Sequence, residues 1–437
     1  MSVPGVIDPS PDPAQSRPAA QKRGVDPTPA KSTRRRRALP RVLLGIAGLL
    51  FLLSVVRVIT GANDIDSAGT LSATIGLAVP IAMAGLGGLW AERAGVVNIG
   101  LEGMMILGTF GAGWAGYQWG AWAGVLAGAL LGAVGGLIHA VATVTFGVDH
   151  IVSGVAINIL GLGATQYLAA VAFEGVPGGG STQSPPVPDL PAVTVPGVAD
   201  GLGTVADKHW FFISDLAAAL RAVTNNVSVL TIIALLLIIG TYLVMWRSTF
   251  GLRLRSCGEN PAAAETLGVN VYKYKYIAML VSGGLAGLGG AFLAIVAASA
   301  YRDGQTGGRG FIGLAAMIFG NWRPGGLAAG AGLFGYTDAL RLRSGGTSVH
   351  ALLLVLVFLM VVIAAWQIYR RQPLIRPVVT GGFAALILVW FLLTDVVPAD
   401  FTGMTPYVAT LLVLALASQR LRMPAADGLV YRRGEAG

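Results

Sequence analysis

Apolar stretches of roughly 20 residues, the length a helix needs to cross a bilayer core, recur along this 437-residue chain. They lie near 42–60, 70–89, 99–117, 121–146, 151–173, 227–246, 276–299, 349–368, 377–395 and 405–419. Lipid offers no hydrogen-bond partner, so each crossing segment must satisfy its own backbone, as a helix does. The pattern predicts an all-α, polytopic membrane protein with about ten full spans. Composition agrees: charged residues are 12%, against about 25% in soluble domains. The 62 glycines suit membrane helices, where small residues let backbones approach.

The region 310–340 breaks the pattern. An apolar stretch 310–320 is followed by a polar break, Asn321 to Gly326, and a Gly/Ala-rich stretch 327–340. Eleven residues are too few to cross upright at about 1.5 Å each, so a broken or re-entrant pair is expected. Charge sets the orientation. With both termini in the cytoplasm and 310–340 starting and finishing outside, Lys208, Arg221, Arg302, Arg309, Arg341 and Arg343 fall outside. Nearly all other basic residues fall inside, as the positive-inside rule requires. That pattern accounts for the net charge of +9 without nucleic acid.

The expected organisation is a disordered basic cytoplasmic tail over 1–40, with Arg34–Arg37 anchoring an uncleaved first helix, and a transmembrane core over 41–348. Within the core, 174–226 is an outer loop holding an amphipathic piece, Trp210 to Leu220, and 247–275 is an inner loop. A two-span segment over 349–403 precedes a last helix and cytoplasmic tail over 404–437.

The inner loop is the most specific segment. Asn260 is a favoured N-cap, Pro261 suits the first helical position, and Gly268 can take the left-handed conformation past the end. A two-turn helix over 261–267 follows, too short to stand alone. Capping by itself equally describes an ordinary connector. The run Gly251, Arg253, Arg255, Gly258, Glu259, Asn260, Pro261 and Ala264, closing at Gly268, resembles the coupling loop of bacterial ABC-importer permeases. The class is that for ribose and branched-chain amino acids, most closely its nucleoside (simple-sugar) subgroup. Three further segments agree: 92–105, 310–324, and 404–410 with the tail through Pro424. The segment 349–403 has no counterpart in the resemblance and reads as a two-span insertion.

The resemblance implies a permease that imports a nucleoside or related sugar-like solute across the bacterial inner membrane by alternating access. The loop would carry ATPase closure into the spans. It also implies a heterodimer with a homologous permease, a cytoplasmic ABC ATPase and an extracytoplasmic solute-binding (lipo)protein. The chain itself would bind no cofactor: no lysine follows a glycine, so a phosphate-binding loop is absent, and ATP belongs to the partner. No acid–base or ligand cluster of an enzyme is evident.

Polar residues inside spans are costly and face cavities or partners. Asn98 and Glu102, four apart, are expected on one helical face, lining the solute path or pairing with Arg93. Asn158 and Gln166 share a face of the fifth span, as solute contacts or as interhelical bonds. His139 is read as a packed histidine, and the Gly-x-x-x-Gly pairs, including Gly132/Gly136 and Gly283/Gly287, as tight helix packing. Trp114, Trp119, Trp122, Trp210, Trp322, Trp366 and Trp390 are read as an interfacial belt. The rival function is an ion-coupled secondary transporter. It needs repeated halves and buried carboxylates, and Glu102 is the one carboxylate expected to be buried.

Overall fold

The computed structural model describes residues 38–434 except 209, 344, 406–407 and 409–420. Nearly all of the expected tail over 1–40, and most of the span expected over 405–419, lie outside the described residues. The chain divides into two units at Gly48. The first unit contributes the opening turns of α1 (Ala38–Thr60), and the contacts below belong to the second.

The bundle is built from α2 (Ala68–Arg93), α3 (Leu101–Trp119), α4 (Ala121–Ala140) and α5 (His150–Phe173). Two short helices follow, α6 (Val198–Ala206) and α7 (Ile213–Ala222), then α8 (Val229–Arg247), α9 (Thr249–Glu259), α10 (Pro261–Thr266) and α11 (Val271–Phe292). The chain continues through α12 (Arg309–Phe319), α13 (Pro324–Arg343), α14 (Gly345–Tyr369) and α15 (Ile375–Leu393). Both α4 and α11 run on into a π-helical turn. Among the described residues the only strands are a two-residue antiparallel pair, β1 (Ala192–Val193) and β2 (Val227–Ser228).

By length and composition, α2, α4, α5, α8, α11, α14 and α15 can each cross a membrane, seven in all. The helix α3 is long enough, but Glu102, Gln118 and its glycines keep it polar. It lies instead against α4, α5 and α11. The C-terminal half of α2 is buried almost without interruption from Val79 to Glu92, as expected of a central helix.

Glycine sets the closest approaches. A methyl group at Gly132 of α4 would overlap the carbonyl oxygen of Gly283 on α11, and one at Gly283 would overlap that of Gly132. The Gly-x-x-x-Gly pairs of both helices therefore meet each other backbone to backbone, the packing read from the sequence.

The irregular region is a hairpin, α12 and α13, laid on α2. Its break is shorter than the sequence suggested. Pro324 to Gly326 form the first turn of α13, where proline is tolerated, and only 320–323 are non-helical. Asn321 and Trp322 take positive φ there, 54° and 52°, a strained state for residues with a Cβ. The strain is held because Arg93 donates from Nε (3.1 Å) and Nη2 (2.9 Å) to the Trp322 carbonyl. Trp322 is 4% exposed and its indole N–H donates to Glu92. It is not a belt residue; the other six tryptophans read as a belt are exposed.

In the outer loop the amphipathic piece is α7; α6 and the strand pair were not foreseen. Arg57, Asp66 and Asp215 meet there in a buried ionic cluster. The Arg57 guanidinium lies 3.3 Å from Asp66 and 3.2 Å from Asp215. One cation cannot neutralise two acids. Burial, and then the Asp215 carboxylate, push the Asp66 carboxyl up to about 7, against the lowering pull of Arg57. A carboxyl whose folded-state value is raised favours the fold while protonated, so its stabilisation is complete below the unfolded value near 3.8 and lost as pH rises through about 7. The melting temperature of the purified protein in detergent should therefore fall between pH 5 and pH 8, and Asp66→Asn should flatten that fall. An unchanged slope in the variant would remove Asp66 as its source.

Candidate functional site

The inner loop folds as two helices joined by capping at Asn260. Ser248 leaves α8 in an extended conformation and accepts from Gly251 N–H at 3.0 Å, starting α9. Asn260 accepts from Ala263 N–H at 2.9 Å and Pro261 opens α10. Gly268 ends it at φ +79°, and Asn270 accepts from Lys273 N–H at 3.1 Å to start α11. The capped helix over 261–267 is thus present; α9, ahead of it, was not anticipated.

Each marked position has a structural task. A methyl group at Gly251 would overlap the Val244 carbonyl, and one at Gly258 the Arg93 carbonyl, so α9 lies directly on the ends of α8 and α2. Arg255 and Arg93 both stand over the Trp246 ring at 5.6 Å. Arg93 also faces Glu259 at 3.8 Å. Ala264 packs with Cys257 and Val271 beneath α10, while Arg253 and Asn260 are exposed. Burial raises the Cys257 thiol to about 11. Beyond α10 stands Leu267, at 83% the most exposed large hydrophobic side chain among the described residues. The sequence offered one signal for it, an apolar residue just before the terminating glycine.

A second polar constellation surrounds the non-helical stretch 94–100 between α2 and α3. Buried backbone away from regular structure needs partners, and side chains supply them. Lys275 Nζ donates to Gly95 O at 3.3 Å. His150 Nδ1 accepts from Val97 N–H at 3.2 Å. His139 Nε2 lies 3.1 Å from Val97 O and its Nδ1 2.8 Å from Ser153 Oγ. A carbonyl only accepts, so Nε2 carries the proton. His139 is the packed histidine expected.

Two of the four intramembrane residues singled out in the sequence, Asn98 and Asn158, lie at this break, and Glu102 follows it in the first turn of α3. Asn98 and Glu102 do not share a helical face, because α3 begins only at Leu101. Asn98 sits in the break and donates to Ser282 Oγ at 2.8 Å. Glu102 does not pair with Arg93: its carboxylate accepts from Gly308 N–H (2.9 Å) and Gly310 N–H (2.6 Å) at the start of α12. Asn158 clamps the break, accepting from Gly103 N–H at 2.7 Å and donating to Ile99 O at 3.0 Å. Gln166 is elsewhere, exposed and donating to Asp303 at 3.0 Å. Glu102 is not the one buried carboxylate: Glu92 is 4% exposed and Asp427 8%. Among the described residues no group of three or more metal-ligating side chains occurs.

Residues 70–365 match the family described as branched-chain amino acid transport system / permease component. The chain belongs to this family. It is therefore a multi-pass membrane permease of an ABC importer and not an enzyme. It is 33% identical over 373 residues to the guanosine ABC transporter permease protein NupQ of Bacillus subtilis, covering 83% of this chain and 96% of that one. It is 32% identical to the nucleoside ABC transporter permease protein NupC of Lactococcus lactis, over 80% of this chain and 93% of that one. With a putative glucose ABC transporter permease protein, TsgC13 of Haloferax volcanii, identity is 35% over 64% of this chain and 79% of the relative. No solved structure matches.

The Glu102 contacts make a quantitative test of the permease core. Hydrogen bonds to a charged group contribute roughly 1.5 kcal/mol or more each, so Glu102→Ala should destabilise by about 3 kcal/mol. Glu102→Gln, which keeps one accepting oxygen, should cost about half as much. Thermal melts in detergent measure both; equal melting temperatures for wild type and Glu102→Ala would refute the assignment.

Proposed function

We propose that this permease carries nucleosides into the cytoplasm, with α9 and α10 as the element through which a separate ATPase subunit drives it. The single observation behind the coupling role is α10 itself. It is a two-turn helix, capped at both ends, anchored through Ala264 and presenting Leu267 outward. An isolated helix of this length is unstable, so its fixed placement suits a rigid plug for a groove in a partner. Gly251, Arg253, Arg255, Gly258, Glu259, Asn260, Pro261, Ala264 and Gly268 are the residues of this device. The solute class rests on similarity to permeases whose names specify guanosine and nucleosides, over most of both chains.

Transport on this reading is alternating access by two permease subunits, this chain and a homologue, served by an extracytoplasmic binding protein. ATP is held by the ATPase, and the chain sits in the bacterial inner membrane with about ten spans and both termini cytoplasmic. Of the four polar residues assigned to the solute path, Glu102, Asn158 and Gln166 spend hydrogen bonds on the protein itself. Asn98 keeps its carbonyl oxygen buried and without a partner, which makes it the group left for a solute.

Replacing Glu259, Asn260 and Pro261 together, or Leu267→Asp alone, should leave insertion intact and lower solute uptake per ATP by roughly fivefold or more, the scale of coupling between distinct sites. Full uptake in both variants of the reconstituted transporter would end the coupling assignment. Orientation has its own test. Cys257 is buried and its thiol raised, so it is a poor reporter. With Cys257 replaced by Ala, Ala263→Cys, an exposed site, should react with an impermeant maleimide only in inside-out vesicles. Labelling in right-side-out vesicles would reverse the topology.

A further inference from the structure

The helix α10 is joined to the rest of the protein by more than its own chain. Glu265, the charged side chain of α10, accepts from the Tyr431 hydroxyl and from Arg433 Nε at 3.2 Å. The Tyr431 ring also covers the Cys257, Ala264 and Val271 cluster beneath the helix. Both partners come from the C-terminal segment 421–434, more than 160 residues away in sequence. The same segment has further attachments. Ala426 N–H donates to Gly258 O at 2.8 Å, at the end of α9. Arg422 N–H donates to Asn321 Oδ1 at 2.8 Å, in the strained α12–α13 turn. Asp427, 8% exposed, is buried beside Glu92 in the last turn of α2 and beside Lys275 of α11.

The segment therefore touches α2, α9, α10, α11 and the α12–α13 turn, while forming no helix of its own. Its placement beside α2, through Asp427, is buried; its bond to the hairpin is exposed, and its attachment to α10 is a charge-assisted pair, the stronger kind of hydrogen bond. A covering loop meant to be released would need few contacts. This one is stitched at both ends.

We propose that residues 421–434 are a tie that makes α10 move as one body with the end of α2 and the α12–α13 turn, and that Glu265 and Tyr431 are its positioning pair. The proposal rests on the coupling role given to α10. Without the tie, a push on α10 reaches the bundle only through the capped breaks at Asn260 and Gly268 and the packing of Ala264 on Cys257 and Val271. With it, the push is delivered directly to the strained turn that Arg93 and Glu92 hold.

The test uses the complete reconstituted transporter and reads ATP hydrolysed per solute imported, alongside thermal melting and co-purification of the ATPase subunit. Tyr431→Phe, which removes one hydroxyl, should raise the ratio about fivefold, the low end of site-to-site coupling, with melting and co-purification unchanged. Glu265→Arg should raise it likewise, and adding Arg433→Glu should restore at least part of the loss, since contacting residues couple in double-mutant cycles. A purely structural role would lower melting instead and leave the ratio alone. An unchanged ratio in Tyr431→Phe and in a Tyr431→Ala, Arg433→Ala double variant overturns the tie. Faster uptake at the wild-type ratio overturns it too, because the segment would then be a restraining lid. Leu267→Asp separates the two readings: if it uncouples while the Tyr431 variants do not, only the tie falls. If it too leaves the ratio unchanged, the coupling role of α10 has failed first.

Discussion

Backbone-to-backbone contact between α4 and α11 is the constraint on which the rest of this bundle depends. Lipid is as apolar as leucine, so membrane helices gain little from hiding apolar side chains and associate instead through close packing. At Gly132 and Gly283 nothing larger than hydrogen fits. That approach fixes where α11 lies, and α11 in turn places Ser282 against Asn98 and Lys275 against Gly95. The small residues thus position the polar ones.

Once the helices are this close, the breaks in them become the difficult parts. Three non-helical stretches, 94–100, 298–308 and 320–323, lie among packed helices, and each is held by a side chain from somewhere else. His139, His150, Asn158 and Lys275 hold the first. Glu102 holds the end of the second, where α12 starts and exposed N–H groups favour an anion. Arg93 holds the third. Most of the intramembrane polar residues are accordingly consumed in keeping the chain broken in the right places. Few remain to meet a solute, which is why their mere presence in a span is weak evidence of contact with one.

Legibility in the sequence followed the range of the interaction. Seven of the ten expected spans and the capped helix α10 could be read because hydropathy, Asn260–Pro261 and Gly268 act within a few residues. Asn98 and Glu102 were misplaced by one local error. Spacing of four means a shared face only inside a helix, and the start of α3 falls between them. Trp322 looked like a belt residue beside a polar break, and only Glu92, 230 positions away, explains its burial. Arg57 with Asp215, 158 apart, and Glu265 with Tyr431 were invisible for the same reason. No spacing rule reaches across a fold.

The location of the breaks bears on how such a permease can move. Helices joined through glycine contacts are stiff as a group, since any sliding brings carbonyls into collision. Motion must therefore concentrate where the chain is already irregular. The turn at Asn321 and Trp322 stores backbone strain and is restrained from one side by Arg93 and from the other by Asn321's bond to Arg422. Arg93 in turn faces Glu259 of α9. A strained turn, a cation that restrains it and a surface helix touching that cation form one continuous contact chain. Release of the turn would be a discrete change for such a chain, which sliding of the glycine-packed helices would not be. If α10 is displaced by a partner, the first bonds to feel it are those of Glu265 with Tyr431 and Arg433, and through the same C-terminal segment the pull reaches Asn321 in the turn.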